Sequence, residues 1–332
     1  MGCLDSTPQG CKAWYDRSVG QPSCPALCPL DTHDADDDVE EGPDILEGSD
    51  PFTAIPLYDS TAPHCSGHVS CDADIVQQPF NPFQLTEQYT SRALSIIRSH
   101  AANNASSDPF FLYMAYSHMH SPMAYAARFS NSSTRSGAQR IFGNTLAELD
   151  DSVGRILQAL DATGLRENTL VFLTSDNGPA DLGKVSCDDI GSTGPFTGLW
   201  QRRAAGGGGG GGGGSTSKAT VWEGGHHVVG IISQPGRIPA GTVSAELVST
   251  VDILPTMAAV AGVSLPADRV YDGLDLSPIL FGGNPAGGTA TKDRSLYTAR
   301  RVLFHPSGRG GQGPVRDVPA MRMGRYKAFF GE

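Results

Sequence analysis

Two short, wholly apolar runs bracket an amphipathic helix, and this arrangement constrains the fold more than any other feature of the chain. The first run is Phe110–Ala115 (FFLYMA), bounded by Pro109, and the second is Thr169–Thr174 (TLVFLT). Between them Thr145 opens a capping box with Glu148, and Leu146, Leu149, Val153, Ile156, Leu157 and Leu160 recur at helical spacing until Gly164. A short apolar run of this kind, bounded by turn residues, reads as a buried strand. Strand, helical crossover, strand is a βαβ unit, which predicts parallel strands and an α/β fold.

The flanking sequence extends this pattern. Thr86 can cap a helix through Tyr89, Ala93, Ile96 and Ile97, and Val228–Ile232 reads as a third strand. Leu247–Ala261 reads as a helix that Pro255 kinks or divides. Beyond Leu265 the pattern changes to turns and short segments, as in a small α+β subdomain. The expected organisation is a loop-rich segment over 1–84, a main domain over 85–265 and a partial subdomain over 266–332.

Composition matters where it is uneven. Of 332 residues, 39% are hydrophobic, which excludes wholesale disorder. Ten carboxylates and no Lys or Arg lie between Asp31 and Asp50, so one segment carries nearly all of the net charge of −11. Asp34, Asp36 and Asp38 do not make an EF-hand, because Val39 stands where the loop requires glycine. Nine consecutive glycines, Gly206–Gly214, form a low-complexity insert within 204–217. They lack the following Lys-Ser/Thr pair of a phosphate loop. No basic stripe suggests nucleic acid, and no apolar run approaches 18 residues, so no membrane span is expected.

Cys3, Cys11, Cys24, Cys28, Cys65 and Cys71 crowd the first segment, as in an oxidised, disulfide-stapled loop region. The sequons at Asn104 and Asn131 also fit a secretory route. The opening MGCLDSTPQG has no secretory pattern, although Gly2 and Ser6 match a loose myristoylation motif.

In a parallel α/β sheet, ligands bind beyond the carboxyl ends of strands. Tyr116-Ser-His118-Met-His120-Ser-Pro122 follows the first run, and Ser175-Asp176-Asn177-Gly178-Pro179 follows the second. Consecutive Asp and Asn oxygens on a Gly-Pro turn suit a hard cation such as calcium or magnesium. The imidazoles suit proton transfer or an anion contact. Each also has a plain alternative: Asp-Asn-Gly is a common turn, and His-x-His can be two loop histidines.

These phrases resemble the sulfatase family, in the branch that contains arylsulfatase A and N-acetylgalactosamine-6-sulfatase. The similarity lies in PFFLYMAYSHMHSP, TSDNGP at Thr174–Pro179, and Lys218-Ala-Thr-Val-Trp-Glu-Gly-Gly225. It continues in GSTGPF at Gly191–Phe196, VDILPT at Val251–Thr256, DRVYDGLDLSPIL at Asp268–Leu280 and GRYKAFF at Gly324–Phe330. The resemblance implies an alkaline-phosphatase-like sandwich with a largely parallel sheet, and hydrolysis of small aryl or sugar sulfate esters. It implies calcium held by Asp176 and Asn177 and sulfate contacted by Lys218. It also implies His120 facing the sulfate and leaving-group oxygen, with His118 a further sulfate-side candidate. It implies a secretory or lysosomal compartment, and a formylglycine nucleophile made from Cys or Ser.

The formylglycine signature, Cys or Ser followed by x-Pro/Ala-x-Arg, is borne by no cysteine: Cys24 is followed by PALC and Cys28 by PLDT. Ser233-Gln-Pro-Gly-Arg237 fits the letters but reads as a decoy, because it follows the Glu-Gly-Gly motif. The family's paired aspartates and its Gly-Lys-x-His segment are also missing. His226-His227 stands where the family commonly ends in Arg, and Thr216 or Ser217 where it has a cysteine. The expectation is therefore an incomplete sulfatase domain, inactive as it stands and poorly soluble alone. A non-catalytic metal- or anion-binding remnant of the fold is the alternative, and a phosphate-ester hydrolase is a third, thinly supported reading.

Overall fold

The computed structural model describes residues 57–59, 74–77, 81–103, 108–120, 123–135, 138–179, 192–196, 217–218, 220–282, 302–305 and 320–330. The acidic segment, the glycine insert, Asn104, the GSTGPF glycine Gly191 and all seven cysteines lie outside them. The chain forms two compact units, Met1–Arg98 with Leu112–Gln158, and Ser99–Phe111 with Ala159–Glu332.

The first unit contains β1 (Leu57–Asp59) paired antiparallel with β2 (Asp74–Gln77), a ladder inside a stretch that reads as loop. Helix α1 (Pro82–Ala102) begins earlier than Thr86. Asn81 Oδ1 accepts the Phe83 amide at 2.9 Å and Pro82 occupies the first helical position, where its missing N–H costs nothing. Helix α2 (Ala138–Ala162) is longer than its apolar stripe. It ends at Gly164, whose φ of 71° permits the Leu165 amide to reach Leu160 O and the Gly164 amide to reach Asp161 O.

The expected capping box is not a cap. Thr145 and Glu148 lie inside α2, where Thr145 Oγ1 donates to Ile141 O and Glu148 turns to the neighbouring loop. The buried residues of α2 include a polar row, Asn144, Thr145, Glu148 and Ser152 at helical spacing, beside the apolar Ile141, Ala159 and Leu160, while Leu146 is exposed. Thr90 bridges α1 to Ser152, and Tyr116 Oη reaches the same hydroxyl at 2.7 Å. Every buried hydroxyl in this seam has a partner, which removes the penalty for burying it.

Alongside this seam Glu87 receives Arg155 through Nη1 and Nη2, at 2.7 and 2.8 Å, and Arg128 at 2.8 Å. The forked bond from Arg155, opposed by burial and aided by Arg128, holds the Glu87 pKa at about 2 instead of 4.5. A depressed carboxylate stabilises the folded state fully above the unfolded value and loses that contribution as pH falls through the folded value. The stability difference between the wild type and Glu87→Gln is therefore expected to be constant near neutrality and to shrink between pH 4.5 and about 2. Urea titrations at several pH values check this, and a difference that does not change with pH contradicts it.

The second unit carries β3 (Val171–Thr174) and β4 (Gly230–Ser233), paired antiparallel with Val171 opposite Ser233 and Thr174 opposite Gly230. Among the described residues no parallel ladder occurs. Phe110–Ala115 is extended but unpaired there, with Phe111 73% and Tyr113 77% exposed and their neighbours half-buried. An apolar run encodes burial but not the direction of its partner, so the parallel βαβ reading does not carry over to these ladders.

Helix α3 (Glu223–His226) is a single turn before β4. A 3₁₀ turn, Thr250–Asp252, leads into α4 (Ile253–Ala261), which Gly262 closes at φ 70°. Pro255 falls in the first turn of α4, where no amide is missed, so the helix is neither kinked nor divided by it. Asp252 is fully buried: Oδ2 accepts the Ser249 amide at 2.7 Å and Oδ1 the Leu274 amide at 2.8 Å. Thr256 Oγ1 accepts the Leu276 amide, and a side chain at Gly273 would overlap Val251 O. The stretches VDILPT and DRVYDGLDLSPIL thus form one folded piece, which continues into α5 (Ser277–Leu280). Asp252→Ala strands two amides and is expected to cost about 2–4 kcal/mol. A change below about 0.5 kcal/mol in the unfolding free energy, the usual range for an inconsequential surface change, contradicts this.

The unit closes with β5 (Val302–His305), β6 (Ala320–Met323) and β7 (Tyr326–Phe329) in an antiparallel sheet of order β5-β6-β7.

Candidate functional site

The turn after β3 is built by its own side chains. Asp176 Oδ1 accepts the Asn177 amide at 2.9 Å, and Ser175 Oγ donates to Asn177 O at 3.0 Å. Asn177 Nδ2 donates to Gly178 O at 2.7 Å, which fixes the amide's orientation. Asp176 Oδ2 and Asn177 Oδ1 take part in none of these bonds. Two adjacent oxygens, one of them anionic, on a bonded turn suit a hard divalent cation. Among the described residues no group of three or more His, Cys, Asp or Glu forms a complete metal site.

Gly178 joins this turn to the segment that contains Lys218. It is buried, its amide donates to Gly225 O at 2.9 Å, and any side chain there would overlap Gly224 O. The Lys218 amide donates to Pro179 O at 2.8 Å, and its side chain is half-buried. Gly225 packs so closely on Ser217 O that a side chain there would also collide. Gly178 and Gly225 thus serve close approach of backbone to backbone. The structure brings Asp176, Asn177 and Lys218 onto one pair of interlocked turns at the carboxyl end of β3.

The far side of the same segment is held by charge. Glu223 Oε2 accepts Arg322 Nη1 and Oε1 accepts Lys327 Nζ, both at 2.8 Å. Burial raises the Glu223 pKa, but Lys327 and Arg322 outweigh it and the carboxyl lies below its ordinary value. Trp222 stacks on Phe329 at 4.3 Å and His226 meets His305 edge-on at 4.3 Å. Burial, then the nearby Lys327 and His226, push His305 down to about 4, so it is neutral at pH 7. His227 stacks on Phe196 of the GSTGPF stretch at 4.5 Å.

In the first unit His118 is nearly buried between Thr86 Oγ1 and Glu148 Oε2, the latter 2.7 Å from Nε2. Glu148 Oε1 accepts the Ala126 amide at 3.2 Å. One carboxylate therefore holds both ends of the loop that presents His120, which is exposed. His118 and His120 belong to the first unit, and Asp176, Asn177 and Lys218 to the second.

Ser233 sits at the Val171 end of the β3–β4 ladder, and its Oγ accepts Arg166 Nη2 at 2.8 Å. At about 3.3 Å per residue, this places it roughly 10 Å along the ladder from Thr174, with the Asp176 turn further still. That position supports the decoy reading. Sequence reasoning did not find Glu148, Arg322, Lys327 or His305. Glu148 carried a false signal as a cap, Arg322 and Lys327 had none beyond their place in or beside the GRYKAFF stretch, and His305 had none.

Comparison with known proteins agrees with these motifs. The Sulfatase family model matches residues 32–263. Arylsulfatase G of Canis lupus familiaris is 38% identical over 332 residues, covering 99% of this chain and 50% of that protein. Arylsulfatase G of Homo sapiens is 36% identical, covering 99% and 51%. N-acetylgalactosamine-6-sulfatase of Canis lupus familiaris is 35% identical over 246 residues, covering 74% and 38%. The chain spans about half the length of the arylsulfatase G relatives. In fold it is similar to the crystal structure of PsFucS1 sulfatase from Pseudoalteromonas sp., with a TM-score of 0.58 and 24% identity, covering 78% of this chain and 43% of that one. A family match over most of the chain, relatives above 30% identity along nearly all of it, and the interlocked TSDNGP and Lys218–Gly225 turns lead to one conclusion: the chain belongs to the sulfatase family.

Proposed function

We propose that the chain supplies the cation- and sulfate-contacting turns of a sulfuric ester hydrolase acting on a small aryl or sugar sulfate. One observation supports this most: the Lys218 amide is bonded to Pro179 O, directly after Asp176 and Asn177, so cation donors and a cationic side chain share one turn pair. Asp176 Oδ2 and Asn177 Oδ1 fit calcium as two of its oxygen ligands, and bound calcium would act as a Lewis acid on the ester oxygens. The Lys218 ammonium offsets the negative charge of the sulfate and of the transition state. His120 is the group for the leaving-group oxygen, as proton donor or hydrogen-bond partner. The same motifs support a secretory route, with the exposed Asn131 as a glycan site.

Formylglycine is a different case. No cysteine in the 332 residues has its signature, and Ser233 lies at the wrong end of the ladder with Arg166 on its hydroxyl. The residues do not fit the group, and no step is derived through it. The 332-residue protein is therefore expected to turn over no 4-nitrocatechol sulfate, with or without calcium. Turnover above the buffer rate, equal in the wild type and Ser233→Ala, would show another nucleophile and contradict this. The remnant reading predicts the same silence. A chimera separates the two readings, with this chain replacing the matching half of canine arylsulfatase G. Turnover by the chimera supports the hydrolase, and a folded, silent chimera supports the remnant.

A further inference from the structure

Arg322 and Lys327 face each other across the β6–β7 ladder. Like charges directly opposite in an antiparallel pair are destabilising. Here both cations converge on the single carboxylate of Glu223, about 100 residues away in sequence, each at 2.8 Å. The ladder and the Glu-Gly-Gly turn are thus energetically tied: without Glu223 the hairpin retains an uncompensated cation pair, and without the hairpin Glu223 has lost both its cationic partners. Lys327 is itself half-buried, and burial lowers its pKa against the pull of Glu223, so the pairing matters to both groups. Trp222 on Phe329 and His226 on His305 fasten the same short segment at two further points.

The same segment bonds to the Asp176–Pro179 turn, through the Lys218 amide to Pro179 O and through the Gly225 carbonyl from the Gly178 amide. We propose that Glu223 is a positioning residue, through which the β6–β7 cation pair sets the 217–227 segment against the Asp176–Pro179 turn and so fixes where the Lys218 ammonium stands. The role assigned to Lys218 rests on the sulfatase reading above, but the mechanical coupling does not need it. Glu223→Gln keeps the shape and an acceptor oxygen while removing the charge. Glu223→Gln with Lys327→Gln also removes half of the like-charge repulsion.

Amide hydrogen exchange on the 332-residue protein reads this directly. In Glu223→Gln, exchange at Gly178 and Lys218 is expected to rise about tenfold or more, while Leu274, bonded to Asp252 in the same unit, keeps its protection. The double variant is expected to restore at least part of the lost protection. Unchanged exchange at Gly178 and Lys218 overturns the proposal. So does an equal rise at Leu274, which would show general loosening, and so does a double variant worse than the single one. The experiment contains no sulfate, so its failure would refute the coupling alone. Failure of the sulfatase reading is seen in turnover assays.

Discussion

Glu148→Ala is expected to destabilise the protein by about 2–4 kcal/mol, the cost of leaving two buried groups without their hydrogen-bond acceptor. Glu148 is 2% exposed and His118 is 5% exposed at the side chain. Their 2.7 Å bond lies in a seam where Thr86, Thr90, Tyr116 and Ser152 are already partnered, so no spare side chain is on hand to take over. Removing the carboxylate also strands the Ala126 amide and opens a void in the middle of α2. The thermal midpoint is expected to fall by roughly 10 °C. Glu148→Gln retains the volume and an acceptor for Ala126, and is expected to lose less than half as much. A shift of under about 1 °C for Glu148→Ala would mean that the seam does not hold the fold. Because the same carboxylate secures both ends of the His120 loop, the loss of order should appear first at residues 117–126.

That result bears on how the sequence encodes this protein. Threonine followed three residues later by glutamate is the pattern of a helix start, and Thr145–Glu148 has it. The same letters also serve inside a helix when a neighbouring loop brings a histidine and an amide to the carboxylate. Local pattern cannot distinguish the two, because the deciding partners, His118 and Ala126, lie 30 and 22 residues away. Strand direction was illegible for a similar reason. Val171–Thr174 is apolar enough to be recognised, but its antiparallel partner at Gly230–Ser233 comes from beyond the glycine insert. Pro255 read as a kink only because the start of its helix was placed at Leu247 and not at Ile253.

The site divides along the same line. Asp176 and Asn177 were legible because strand, turn and glycine are contiguous. The closeness of Lys218 to them was legible only through the resemblance of the motifs, since the glycine insert lies between. Gly178 and Gly225 show the physical content of that resemblance: two turns approach until only glycine fits. The Glu223 clamp was not legible at all, because Arg322 and Lys327 carry no signal until the hairpin places them opposite one another.

The second large effect concerns the chemistry. In a chimera of this chain with the remaining half of canine arylsulfatase G, Lys218→Ala removes the cation set against developing negative charge. Loss of one such preorganised group costs about 10²–10³ in kcat. Asp176→Ala removes the anionic oxygen of the pair assigned to calcium, and is expected to show a loss of similar size that added calcium only partly restores. Ser233→Ala, roughly 10 Å along the ladder from Thr174 and further still from Asp176, is expected to leave turnover unchanged. The most direct test of the account is kcat/KM for 4-nitrocatechol sulfate in the folded chimera and its Lys218→Ala variant. The account predicts measurable turnover that falls by about 10²-fold or more on the substitution. Equal kcat/KM in the two proteins, or a cooperatively folded chimera with no turnover, would contradict it.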